Sequence, residues 1–194
     1  YVGMPYTEKD VDEAIGGSIF RVETRTVRSP DICADTAKVL AEGNVVGWFQ
    51  GRSEFGPRAL GNRSILADPR KAEMKDILNQ RVKHRQPFRP FAPIVLAERA
   101  RDVFEGDEDS PFMQIAKSVR PEWKDKIPAI VHVDGTARVQ TVRRETNEAL
   151  YGLLQAFDRL TGVPVLVNTS FNVKGEPIVE KPDDAVACFL ATGI

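Results

Sequence analysis

The chain has 194 residues, 42% of them hydrophobic and 28% charged. That suits one ordinary globular domain and excludes a wholly disordered or fibrous chain. The 27 Lys and Arg against 28 Asp and Glu leave a net charge of -1, so charge alone marks neither a nucleic-acid binder nor a binder of acidic targets.

Residues 1–28 are polar and poorly periodic around Gly16-Gly17, and read as a lead-in or linker with one strand at most. Ser29-Pro30-Asp31 carries a capping residue, a first-position proline and an early acid, so a helix is expected from there to Gly43. Val45–Phe49 is a buried-strand candidate. Lys71–Val82 predicts a helix with Met74, Ile77 and Leu78 on one face. Pro93–Leu96 predicts a strand, Glu98–Phe104 a short helix and 105–110 an acidic loop. Ile130–Val133, Asp134-Gly135 and Thr136–Val142 read as a hairpin, because Asp-Gly tolerates a tight turn. A helix over Asn147–Leu160 ends at Gly162, a strand follows at Val163–Val167, and Pro182 with Asp183-Asp184 starts a last helix. The alternation predicts an α/β or α+β domain around one mixed sheet.

The apolar runs are too short to span a bilayer, and no basic-then-apolar leader opens the sequence. Cys33 and Cys188 lie far apart in apolar helical patterns and read as free buried thiols of a reducing compartment, so a cytoplasmic location is expected. Tyr1 stands where Met would open a chain, and the last helical pattern stops at Ile194, so the sequence reads as a piece of a longer protein.

Charge is uneven. Residues 47–92 hold ten Lys or Arg against four acids, a net of +6, with seven arginines in the ten. Arginine suits bidentate phosphate contact, although a solvated basic face has the same composition. Three motifs could carry chemistry. Gly51–Ser64 holds three glycines and three arginines after a strand. It has the glycine spacing of a P-loop, but Pro57-Arg58 stands where Lys-Ser/Thr is required, so that reading fails. Pro57 can instead open a turn whose free N–H groups face an anion. A glycine-rich turn with surface arginines stays open.

The second motif is Arg81–Phe91. Its two prolines forbid a continuing helix, and alternation along an extended chain places Lys83 and Arg85 on one face with Arg89 beyond. The third is Val167–Gly175, where Asn168, Ser170 and Asn172 share a face at a strand's end and suit ligand-orienting contacts. A basic helix end and a polar turn are the plainer readings of these two. Arg138 shares a strand face with Val131 and Val133 and wants a partner if it is buried. His84 and His132 have no nearby carboxylate pattern and read as structural rather than metal-ligating.

Four motifs in order, Gly51–Ser64, Phe88–Pro93, His132–Arg138 and Asn168–Asn172, resemble the C-terminal domain of the NodU-type O-carbamoyltransferases. The resemblance covers 29–194 and implies a YrdC-like fold. Lys83-x-Arg85 and Ser170-x-Asn172 look like its KxR and SxN signatures. It further implies that this domain takes ATP and carbamoyl phosphate and forms carbamoyl adenylate. A missing N-terminal Kae1-like domain of the same full-length chain would then pass the carbamoyl group to a hydroxyl, so the isolated domain is expected to run at most the adenylation half-reaction. On this reading Arg58, Lys83, Arg89 and Arg138 contact phosphate, Arg85 holds the triphosphate, and Asn168, Ser170 and Asn172 fix the nucleotide and carbamoyl group. Glu54 would orient Arg52 or Arg58. Mg would accompany ATP with no ligand assigned here, and iron or another divalent metal belongs only to the missing domain. An RNA-binding tRNA-modification domain, a non-catalytic nucleotide module and a homodimer stay open; no membrane partner is expected.

Overall fold

In a computed structural model, which describes residues 1–17, 25–192 and 194, six strands form one mixed sheet. They are β1 (Val46–Phe49), β2 (Arg63–Ala67), β3 (Ala92–Leu96), β4 (Ile115–Ser118), β5 (Thr136–Val142) and β6 (Val165–Ser170), in the order β1-β2-β6-β3-β5-β4. Only β3 and β5 run parallel; the other neighbours are antiparallel. β2 and β3 are buried at every position, as strands covered on both faces must be. Seven α-helices of the described residues accompany the sheet, so the expected α/β fold is what the chain adopts.

Two long helices follow the sequence closely. α2 (Ile32–Ala41) starts two residues later than the proline suggests: Asp31, not Ser29, caps it by accepting from the Ala34 N–H. α6 (Glu148–Thr161) is capped by Asn147 and closed by Gly162 in the left-handed region, and it buries Leu150, Leu153, Leu154 and Phe157. α2 and α6 pack on each other. α7 (Pro182–Thr192) lies against β1, where Gly47 leaves no room for a Cβ beside the Phe171 ring.

Three expectations need correction. The lead-in carries a helix, α1 (Glu8–Gly16), with a reciprocal capping box between Thr7 and Asp10, and it packs on α7. No strand lies among its described residues; 18–24 fall outside them. The helix expected over Lys71–Val82 is α3 (Glu73–Ile77) followed by a π turn over Leu78–Val82. The Asp134-Gly135 turn is real, with Gly135 N–H donating to His132 O and His132 N–H to Thr136 O, but no strand precedes it. β4 pairs with β5 over Thr136–Val139, in place of the expected hairpin partner, and residues 131–133 follow a tight helical turn at Pro128–Ile130 instead of forming a strand. The face shared by Arg138, Val131 and Val133 therefore does not exist.

Two strands were not foreseen. β2 has no alternation because nothing on it is exposed. β4 inverts the pattern: its one buried side chain is Lys117, while Ile115 is exposed.

The register fixes where function can sit. Ser64 of β2 lies opposite Ser170 of β6, Asn168 opposite Ala92 of β3, and Ile94 beside Gln140 of β5. The segments entering β2, β3 and β5 and the segment leaving β6 therefore meet at one end of the strands, an end-on rim of the sheet.

Candidate functional site

At that rim the end of β6 supplies Ser170 and Asn172, and the loop after the π turn supplies Lys83, Arg85 and Arg89. Together with residues 173–175 they line a cleft of about 530 Å³. A second cleft of about 410 Å³ shares Ser170 and Asn172 and is closed by residues 53–57 and 177–180. Ser170 and Asn172 thus lie between a basic lobe and one lined by Glu54 and Glu180.

Lys83 is 6% exposed. Its Nζ donates to Ser170 O, Ser170 Oγ (3.3 Å), Asn172 O (3.0 Å) and Asn172 Oδ1 (2.7 Å), while Ser170 Oγ donates to Asn172 Oδ1 at 2.7 Å. No carboxylate of the described residues pairs with it. Burial, helped by repulsion from Arg85, draws the ammonium down to about 7. Lys83 and Arg85 do not meet by the strand alternation expected from the sequence. The π turn ends at Lys83, His84 reverses the chain with φ 43, and the Arg85 N–H donates to Asn79 O.

Arg85 donates through Nε to Asn79 Oδ1 at 2.7 Å and lies over the Phe91 ring at 4.6 Å. Burial lowers its proton affinity, and Arg89 adds repulsion. Arg89 and Arg58 are exposed. Arg138 has a buried Nε with no partner; its guanidinium is lowered first by desolvation and then by Arg58. Ion pairs of the described residues engage Arg28, Arg70, Arg99, Arg101, Arg143 and Arg144, and none engages Arg58, Lys83, Arg85, Arg89 or Arg138. Lys83, Arg85 and Arg89 line one cleft that can accept an anion, whereas Arg58 and Arg138 neighbour each other and line neither cleft.

Asn168 stands apart from these groups. It is 1% exposed, lines neither cleft, and donates to Ala59 O (3.1 Å) and Gln140 Oε1 (2.7 Å), which ties β6 to the Gly51–Ser64 loop and to β5. Glu54 does not orient Arg52 or Arg58. Its Oε1 accepts from the N–H groups of Leu60 (2.7 Å), Asn62 (2.7 Å) and Arg63 (3.2 Å), so it staples the loop on itself. Arg63 is fully buried and faces no cleft. It donates to the carbonyls of Gln50, Gly51, Asn62 and Glu180 and stacks on Phe49 at 3.6 Å. Gln50, Asn62 and Asn147 complete this scaffold with hydrogen bonds of 2.8–3.1 Å. Sequence reasoning missed these residues; buried Asn and Gln beside a glycine-rich loop were the signal. Asn79 was missed too.

The thiols are free, Cys188 buried and Cys33 half-buried. No group of three or more His, Cys, Asp or Glu among the described residues could hold a metal ion, and the Glu54 oxygen nearest the loop is spent on backbone N–H groups. The residues present do not form a Mg cage. No helix of the described residues is long and apolar enough to cross a membrane.

Residues 37–194 match the family model described as the carbamoyltransferase C-terminus; the chain belongs to this family. It is 53% identical over 170 residues to nodulation protein NolO of Bradyrhizobium diazoefficiens, covering 86% of this chain and 31% of that protein. It is 48% identical over 160 residues to nodulation protein U of Rhizobium tropici, covering 82% and 27%. The chain thus spans about a third or less of these curated relatives. Among solved structures, full-length HypF in its phosphate- and nucleotide-bound form shares the fold with a TM-score of 0.60 and 18% identity, over 87% of this chain and 21% of that one.

Proposed function

We propose that this chain is the adenylating part of an O-carbamoyltransferase. It binds ATP and carbamoyl phosphate; water cleaves the carbamoyl phosphate to carbamate and phosphate, and the carbamate oxygen then attacks the ATP α-phosphorus, which forms carbamoyl adenylate and releases pyrophosphate. A further part of the full-length protein then transfers the carbamoyl group to a hydroxyl. The observation that carries this reading is the cleft where Lys83, Arg85 and Arg89, none with an acid partner among the described residues, stand beside Ser170 and Asn172 in a member of the carbamoyltransferase family. The phosphate- and nucleotide-bound state named for HypF supports it.

The chemistry suits the groups. Negative charge grows on the departing pyrophosphate, and preorganised cations that hold this charge best in the transition state lower the barrier. Arg85 and Arg89 face the basic lobe and take the leaving phosphates. Arg58 and Arg138, which repel each other across the sheet rim, take a second phosphate group. Lys83 acts from beneath: its hydrogen bonds hold the Ser170 and Asn172 side chains where they can orient the carbamoyl amide. Mg would come with the ATP rather than be caged by side chains of the described residues.

The test is pyrophosphate release by the full-length protein with ATP, with and without carbamoyl phosphate. Release that depends on carbamoyl phosphate is expected. No release, or release indifferent to carbamoyl phosphate, overturns the reading.

A further inference from the structure

We infer that Asn79 is a positioning residue that sets Arg85 and Arg89 for an incoming phosphate group, a role that rests on the anion-site reading above. Asn79 has no exposed surface and sits in the π turn Leu78–Val82. Its Nδ2 donates to the carbonyls of Pro87 (3.1 Å) and Arg89 (3.0 Å). Its Oδ1 accepts from Arg85 Nε (2.7 Å), and its own carbonyl accepts from the Arg85 N–H (3.0 Å). One residue therefore fixes four points of the loop between 85 and 89.

The loop needs such a tie. Lys83 to Pro90 form no helix or strand, and Pro87 and Pro90 offer no N–H of their own. His84 stands at φ 43, a conformation that costs energy in a non-glycine residue and persists only where the surroundings enforce it. The π turn supplies the enforcement by directing Asn79 inward and leaving Lys83 at its end; such turns recur at functional sites. Asparagine is the chemically required side chain. The position calls for one acceptor toward a guanidinium and two donors toward two carbonyls. Aspartate would keep the acceptor, lose the donors and place a neutralising charge on Arg85. With Nε held by Asn79 and one face of the guanidinium over the Phe91 ring, Arg85 keeps its Nη1 without a partner among the described residues. That is the edge a phosphate would meet.

The test measures inorganic pyrophosphate binding by titration calorimetry on the full-length protein, well below its melting temperature. Asn79→Ala and Asn79→Asp should each weaken binding by about tenfold or more, the effect of slight misplacement of binding groups. Leu153→Ala, a core substitution in α6, should lower the melting temperature while leaving this affinity unchanged. In an Arg85→Ala background, Asn79→Ala should add much less than it does alone. If Asn79→Ala fails to fold, Asn79→Asp, which preserves shape and the acceptor, carries the comparison. Folded Asn79 variants with wild-type affinity, or Asn79 and Arg85 effects that simply multiply, overturn the role while the anion site stands. An unsubstituted protein that binds no pyrophosphate overturns the anion site and this role together.

Discussion

Lys83 combines near-complete burial with four oxygen neighbours and no acid partner. Lys38 offers the contrast: it is exposed on α2 and pairs with Asp35 at the surface. Lys83→Ala should therefore lower pyrophosphate release about a hundredfold or more, whereas Lys38→Ala should change rate and stability little, by roughly 0.5 kcal/mol or less. Equal small effects would return Lys83 to a structural role. Titration gives a second check. Folded Lys83 titrates near 7 and the unfolded side chain near 10.5. Between these values the unfolded chain holds the extra proton, so this group makes stability rise with pH across the window and adds nothing to the slope below it. Lys83→Met should remove that rise, which melting curves from about pH 7 to about pH 10 would reveal. A polyanion in the cleft favours the charged lysine, so pyrophosphate binding above pH 7 should take up protons, measurable as a buffer-dependent binding enthalpy.

The Gly51–Ser64 loop shows how an element can look like a ligand site and yet be mostly scaffold. Three arginines lie in it, and the one with no exposure, Arg63, spends its donors on backbone carbonyls. Arg63→Lys keeps the charge but loses the fork, leaving buried carbonyls unpaired at a cost on the order of 3 kcal/mol. Thermal unfolding should show this as a clear drop in melting temperature; an unchanged value would mean that the carbonyls find other donors. Gly61 marks the other constraint. It has φ +104, and a Cβ there would lie 2.1 Å from Leu150 Cδ2. Gly61→Ala combines backbone strain with overpacking against α6, so about 2–4 kcal/mol of stability should be lost. Since the loop enters β2 directly, pyrophosphate affinity should fall with it.

At the scale of the molecule, a ligand held only by the folded sheet rim must stabilise the whole domain. Pyrophosphate at a hundred times its dissociation constant should add about 2.7 kcal/mol to unfolding, and Arg85→Ala should forfeit most of that shift in a thermal melt. No shift in the unsubstituted protein would argue against a preformed anion site.

The sequence by itself determined the helices with strong apolar periods and clear ends, such as the one expected over 147–160 with Gly162 beyond it and found at 148–161. It also marked strands at 45–49, 93–96 and 163–167, which the structure draws at 46–49, 92–96 and 165–170, and the block where cations gather. These are local properties, written in side-chain period and capping chemistry. Through its motifs the sequence also pointed to the carbamoyltransferase family. Only the tertiary structure decided which cations are available. Arg63 and Arg58 read alike in the sequence, but one is caged by carbonyls and the other faces solvent. Lys117 hides β4 because its buried ammonium reaches the Glu108 carbonyl of the preceding loop, and Thr136–Val139 pairs with that strand rather than with residues 130–133. Asn79, Glu54 and Asn168 gain their roles from hydrogen bonds that depend on where backbone carbonyls and N–H groups from other segments arrive. Such partners are set by the packing of the whole chain, and no local pattern encodes them.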